Sequence, residues 1–119
     1  MARDDLAPAF ERLKQAATGL PEVEASSWYD TPALKVRGKG FCRVREAGVA
    51  VLMCSLEDKE LLFAAAPDIY FETDHYRGWP AILVHIERIA PEELRHRLAI
   101  AWRLKAPRAL VKAFDAGRA

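Results

Sequence analysis

Histidine and cysteine are scarce in this chain, and neither occurs at a spacing that holds a metal. The three histidines, His75, His85 and His96, are too far apart for an i, i+4 pair on one helix, and neither cysteine lies beside one. A metal site is therefore not expected. Cys42 and Cys54 form no Cys-x-x-Cys pair and sit in apolar runs, which predicts two buried free thiols; a disulfide or redox role is the alternative. The serines, Ser26, Ser27 and Ser55, lie outside any Gly-x-Ser-x-Gly elbow. Gly-x-Gly-x-x-Gly and Gly-x-x-x-x-Gly-Lys-Ser/Thr are both missing, so no nucleotide cradle or cofactor is indicated. The paired carboxylates Glu92 and Glu93 follow a proline and suit the positive end of a helix dipole. With no catalytic constellation left, the expectation is a protein that is not an enzyme. Apolar runs such as residues 49–54 fall far short of the ~20 residues a membrane helix needs. The first five residues are acidic where an export leader is basic and then apolar, so the expected compartment is the cytoplasm.

What is present is a globular composition: 119 residues, 51% hydrophobic and 29% charged, enough for one domain over residues 1–119 with a real core. The net charge of +1 hides an uneven spread. Residues 31–56 carry five basic groups against one acidic, and residues 91–119 seven against three; the blocks between and before them are acidic. A near-neutral total argues against indiscriminate coating of nucleic acid, while local basic patches stay available.

Periodicity supplies the elements. Leu6, Phe10, Leu13 and Ala17 recur at helical spacing, predicting a helix over residues 5–17 capped by Asp4 or Asp5 and stopped by Gly19 and Pro21. Residues 23–29 read as extended, Asp30-Thr-Pro32 as a break, and residues 33–37 as an alternating strand. Gly38-Lys-Gly40 and Glu46-Ala-Gly48 read as turns flanking a strand at 41–45. Residues 49–54 are so apolar that they predict a central strand buried on both faces. Ser55 with Asp58 resembles a capping box opening a helix at 56–66, with Leu61, Leu62 and Ala65 as its apolar stripe. Strands at 69–73 and 81–86 flank an aromatic loop at 74–80. A last long helix starts at Pro91 with Leu94, Leu98, Ala101 and Trp102 inward; Pro107 breaks it, and a short helix follows at 108–114. This order predicts an α+β fold, an antiparallel sheet with helices packed on one face.

Three features carry functional weight. His75-Tyr-Arg-Gly-Trp-Pro80 concentrates a cation, an imidazole and two aromatics in six residues. It suits a recognition loop, Arg77 taking a phosphate or base edge and Tyr76 or Trp79 stacking; equally, Trp79 and Pro80 can cap the core while Arg77 pairs with Asp74. Lys35, Arg37, Lys39, Arg43 and Arg45 form a basic hairpin, either a row of phosphate contacts or a solvated sheet face. Arg95, Arg97, Arg103, Lys105, Arg108 and Lys112 form a C-terminal basic set, part of which the helix dipole explains.

Taken together, Tyr29-Asp-Thr-Pro-Ala-Leu-Lys-Val36 with Gly38-Lys-Gly-Phe41, then His75-Tyr-Arg-Gly-Trp-Pro80 leading into Ile82-Leu-Val84, and Trp102-Arg-Leu-Lys-Ala-Pro107 resemble the MmcQ/YjbR family. The resemblance covers about residues 9–115; Leu34 and Trp79 stand where the family often has Phe and Tyr. It implies a frataxin-like (CyaY-like) sandwich and a DNA-binding role in which paired hairpins straddle a duplex. Too few acidic residues lie on the first helix to carry over frataxin-type iron binding. The leading expectation is a protein that grips double-stranded DNA through Lys35, Arg37, Lys39, Arg43 and Arg45, with His75, Tyr76, Arg77 and Trp79 as a second contact. The alternative is a non-enzymatic protein-interaction or small-ligand module, with a concave apolar pocket lined by Trp28, Tyr76 or Trp79. A monomer without membrane contact is expected in either case.

Overall fold

The computed structural model describes residues 4–117; the Met1–Arg3 part of the leader argument lies outside them. Six strands form one sheet in the order β1-β2-β3-β4-β6-β5, every neighbouring pair antiparallel. The strands are β1 (Val23–Trp28), β2 (Thr31–Val36), β3 (Lys39–Glu46), β4 (Val49–Met53), β5 (Tyr70–Phe71) and β6 (Ala81–His85). The helices are α1 (Ala7–Ala16), α2 (Leu56–Ala65), α3 (Pro91–Lys105) and α4 (Arg108–Ala116). The fold is α+β, as the pattern predicts.

Alternation along the strands separates two apolar clusters. Ala50, Leu52, Ile82 and Val84 face a large core that takes in Leu13 of α1 and Leu94, Leu98 and Trp102 of α3. All four helices reach this core, α2 through Leu62 and Phe63 and α4 through Leu110 and Phe114. The intervening residues Val49, Val51, Ala81 and Leu83 face the opposite side, where they pack with Tyr76, Met53 and Phe71. The helices thus gather on one face, while Val51, Ala81 and Leu83 on the other are buried in a smaller cluster with Tyr76. The central-strand expectation for residues 49–54 holds: β4 is buried on both sides.

Several local expectations are corrected. The first helix begins as a 3-10 turn, Asp4–Leu6; Leu6, rather than Asp4 or Asp5, holds the cap position of α1, and Pro8, lacking an N–H, removes one orphan donor. The break expected at Asp30-Thr-Pro32 is a two-residue turn at Tyr29 and Asp30, both at positive φ (55° and 64°), and Thr31 and Pro32 already belong to β2. Arg37 and Gly38 make the next such turn, so Lys39 and Gly40 open β3. Gly40 is small for a different reason: a Cβ there would lie 2.4 Å from Cε3 of Trp28. Ser55 caps α2 as expected, accepting from the Asp58 N–H at 3.1 Å. The apolar stripe of α2 is misplaced, however: Leu61 is exposed, and the buried residue is Lys59. The strand expected at 69–73 shrinks to Tyr70–Phe71, because Thr73 already leads into a 3-10 turn at Asp74–Tyr76.

Candidate functional site

The open face of the sheet carries a cavity of about 620 Å³, within the size range of small-molecule sites. Its floor is strand: Thr31 from β2, Arg43 and Arg45 from β3, Val51 and Met53 from β4, and Ala81 from β6. Its walls are aromatic, with Trp28 and Tyr29 on one side and Tyr76 and Trp79 on the other.

Strand register explains the floor. Arg43 pairs with Ala33 on one side and Val51 on the other, and Val51 pairs with Leu83. A long cationic side chain therefore rises from a row of small and apolar neighbours, leaving a hollow beside it. Arg43 is buried, at 8% exposure. Its Nη1 donates to Thr31 Oγ1 at 3.0 Å and its Nη2 to Tyr76 Oη at 2.7 Å. Its guanidinium carbon lies 5.1 Å from the Tyr29 ring centroid. No ion pair joins it to any described carboxylate.

The walls are held firmly. Thr31 Oγ1 donates to the Trp28 carbonyl at 2.9 Å and closes the β1–β2 turn. Within that turn Tyr29 sits at φ 55°, a backbone state that bulky residues rarely adopt, yet its ring is 72% exposed and stacks 5.6 Å from that of Trp28. Across the cavity, Lys59 fixes the loop 74–80. Its ammonium donates to the Tyr76 carbonyl at 2.7 Å and the Trp79 carbonyl at 2.9 Å, and pairs with Glu72 at 2.7 Å. Those three partners use all three N–H donors, which is what lets a lysine lie at 3% exposure. Cys54 N–H bonds the Pro80 carbonyl at 3.0 Å and anchors the loop's far end.

The predicted site residues divide into two groups. Arg43, Arg45, His75, Tyr76 and Trp79 come together around the cavity. Lys35, Arg37, Lys39 and Arg77 do not line it. Arg37 forks onto Glu22, holding that carboxyl below the usual carboxylate range, chiefly through the side-chain hydrogen bond. Arg45 pairs with Glu46 at 2.6 Å, and Arg77 with Asp74 at 2.6 Å. Lys35 stands opposite Glu24 in the β1–β2 register. The basic hairpin is thus interleaved with carboxylates, and Arg43, expected to reach outward to phosphate, points into the cavity floor.

Sequence reasoning missed Tyr29, Thr31, Lys59, Glu72 and Lys105 as parts of this site. Lys59 left a signal: it continues the helical spacing of Leu62, Phe63 and Ala66, so it occupies an apolar stripe where a lysine needs buried partners.

Against known proteins, residues 18–104 match the YjbR family model. The chain belongs to the YjbR (MmcQ/YjbR) family. The matched span runs from the end of α1 to α3, so it contains every strand and the whole cavity except Lys105. The chain is also 41% identical over 56 residues to an uncharacterised protein of Mycobacterium bovis and to two of Mycobacterium tuberculosis strains. That match covers 47% of this chain and 43% of each relative, so the chain spans less than half the length of those relatives. No solved structure gives a significant match. Among the described residues, no helix is long and apolar enough to cross a membrane.

Proposed function

We propose that this YjbR-family protein is a non-catalytic binding module whose open sheet face takes a small planar ligand between two pairs of aromatic side chains. The observation that carries the reading is the cavity itself: about 620 Å³, walled by Trp28, Tyr29, Tyr76 and Trp79, with polar groups confined to a few fixed positions. Two further features support it. Tyr29 is held exposed in a strained backbone conformation, and such strain concentrates at ligand clamps. Trp79 is 58% exposed, an apolar area that a stacked ligand would cover.

Intrinsic fluorescence tests the reading, because two of the three tryptophans wall the cavity while Trp102 is buried and donates its Nε1–H to the Pro21 carbonyl. Titration with a panel of neutral and charged bicyclic aromatics is expected to quench Trp28 and Trp79, and Trp79→Ala to weaken the response. A folded protein that responds to no member of the panel contradicts the reading.

The second reading is duplex DNA held by the β2–β3 hairpin. Lys39 is exposed and unpaired with any described carboxylate, and Arg37 at the same tip is 54% exposed by its side chain. Opposing it are the ion pairs of Arg37, Arg45 and Arg77, each of which would have to be exchanged for a phosphate contact. Retention of duplex DNA at ~50 mM salt, weakening steeply as salt rises, is what that reading requires.

A further inference from the structure

The chemistry of Arg43 narrows the ligand class, an inference that rests on the cavity reading above. A buried guanidinium without a carboxylate is costly, and native proteins rarely keep one without use. Arg43 spends two of its five N–H groups, one on Thr31 and one on Tyr76. Both of those acceptors are neutral hydroxyls, so the positive charge is solvated but not balanced. Three N–H groups stay available on a side chain that lines the cavity. The same cavity is lined by two more cations, Arg45 and Lys105, against one carboxylate, Glu46. Because Glu46 pairs with Arg45 at 2.6 Å, the lining cations left without a described carboxylate are Arg43, buried in the floor, and Lys105, which is only partly buried.

We infer that the ligand is a planar aromatic or heteroaromatic monoanion, its ring stacked between the aromatic walls and its carboxylate seated on Arg43. The stacking surfaces account for planarity, since Trp28, Tyr29, Tyr76 and Trp79 offer faces and edges rather than hydrogen bonds. The single charge is placed on Arg43 because that side chain is 8% exposed and lacks a described carboxylate, whereas Lys105 is only partly buried and keeps contact with water. A carboxylate matches its planar fork, whereas a phosphate monoester brings a second negative charge toward Glu46. Thr31 and Tyr76 hold the guanidinium from two sides, so it is oriented before the ligand arrives. The Tyr29 ring centroid lies 5.1 Å from the guanidinium carbon, within cation–π range.

The test compares 2-naphthoate with 2-naphthamide, which share a ring and differ in charge, on the wild-type protein by calorimetry and tryptophan quenching. 2-Naphthyl phosphate is the third probe. The carboxylate is expected to bind about tenfold or more tightly than the amide, the range of a charge-assisted hydrogen bond. Arg43→Gln is expected to bring the two within about threefold of each other, the carboxylate losing much more affinity than the amide, the signature of a lost ion contact. Equal binding of carboxylate and amide to wild type overturns the anion assignment and leaves the cavity reading standing. Tighter binding of the phosphate ester overturns the choice of a monoanion. Absence of binding by all three probes overturns the cavity reading, and this inference with it. The wild-type comparison decides the matter even if Arg43→Gln fails to fold.

Discussion

Replacing Arg43 with methionine separates a binding residue from a structural one, because the two roles predict stability changes of different size. In the folded protein the guanidinium is 8% exposed and has no described carboxylate partner. An uncompensated buried charge costs about 3–5 kcal/mol of folding free energy. Methionine has a similar length and removes that cost. Against it stand two lost hydrogen bonds from a charged donor, each worth about 1.5–3 kcal/mol net, and the contact with the Tyr29 ring, about 0.5–1 kcal/mol. Thr31 keeps its own bond to the Trp28 carbonyl, and Tyr76 Oη faces a cavity that water can enter. The two sides nearly cancel, leaving a change of about 1 kcal/mol, which for a domain of this size is roughly 4 °C in melting temperature. Thermal and urea denaturation of Arg43→Met beside wild type measure it. The variant is expected to stay within that margin of wild type yet be unable to tell 2-naphthoate from 2-naphthamide. A loss of more than ~2 kcal/mol would refute the reasoning, since it would make Arg43 a keystone between the β1–β2 turn and the loop 74–80.

Other predictions follow from the same geometry. Lys59→Met is expected to destabilise the fold by about 2–4 kcal/mol, because Glu72 and two loop carbonyls lose their shared partner; a double-mutant cycle with Glu72→Gln should recover a favourable coupling of about 1 kcal/mol or more. Gly40→Ala is expected to push the Trp28 indole aside, costing about 1–3 kcal/mol and weakening ligand quenching; unchanged stability would show that the ring has room to move. Burial holds the Cys42 thiol far above its ordinary range, and burial followed by the Glu93 hydrogen bond raises the Tyr70 phenol. A raised folded pKa contributes stability below the unfolded value and loses it as pH climbs. Denaturation midpoints should therefore be flat near neutrality and fall from about pH 8.5, where an unfolded cysteine begins to ionise, and further past about pH 10 for tyrosine. For the same reason, a thiol-exchange reagent at pH 8 should leave Cys42 unreacted until the protein unfolds.

The sheet, its hairpins and the helical face were legible because hydrophobic alternation and turn residues are local signals. Val49–Met53 announced itself as a two-sided strand, and Ser55 announced the helix it caps. The convergence of residues 35–45 with the loop 75–80 was legible as an idea, and Arg43 with Tyr76 realises it. Its electrical character was not. Whether an arginine on a strand faces solvent or a hollow depends on the neighbours that register sets beside it, here Ala33 and Val51 from two other strands. Lys59 was misjudged because its partners, Glu72 and the carbonyls of Tyr76 and Trp79, lie 13 to 20 residues further along the chain. Gly40 looked like a turn residue because glycine serves both turns and close approaches, and only the position of the Trp28 ring distinguishes them.

The indole N–H signals of Trp28, Trp79 and Trp102 in a proton–nitrogen correlation spectrum test the central claim most directly. If the open face is a ligand cavity, added 2-naphthoate moves the first two and leaves Trp102 in place. Unmoved Trp28 and Trp79 signals under naphthoate, with backbone amides of residues 35–45 shifting under duplex DNA instead, would contradict it.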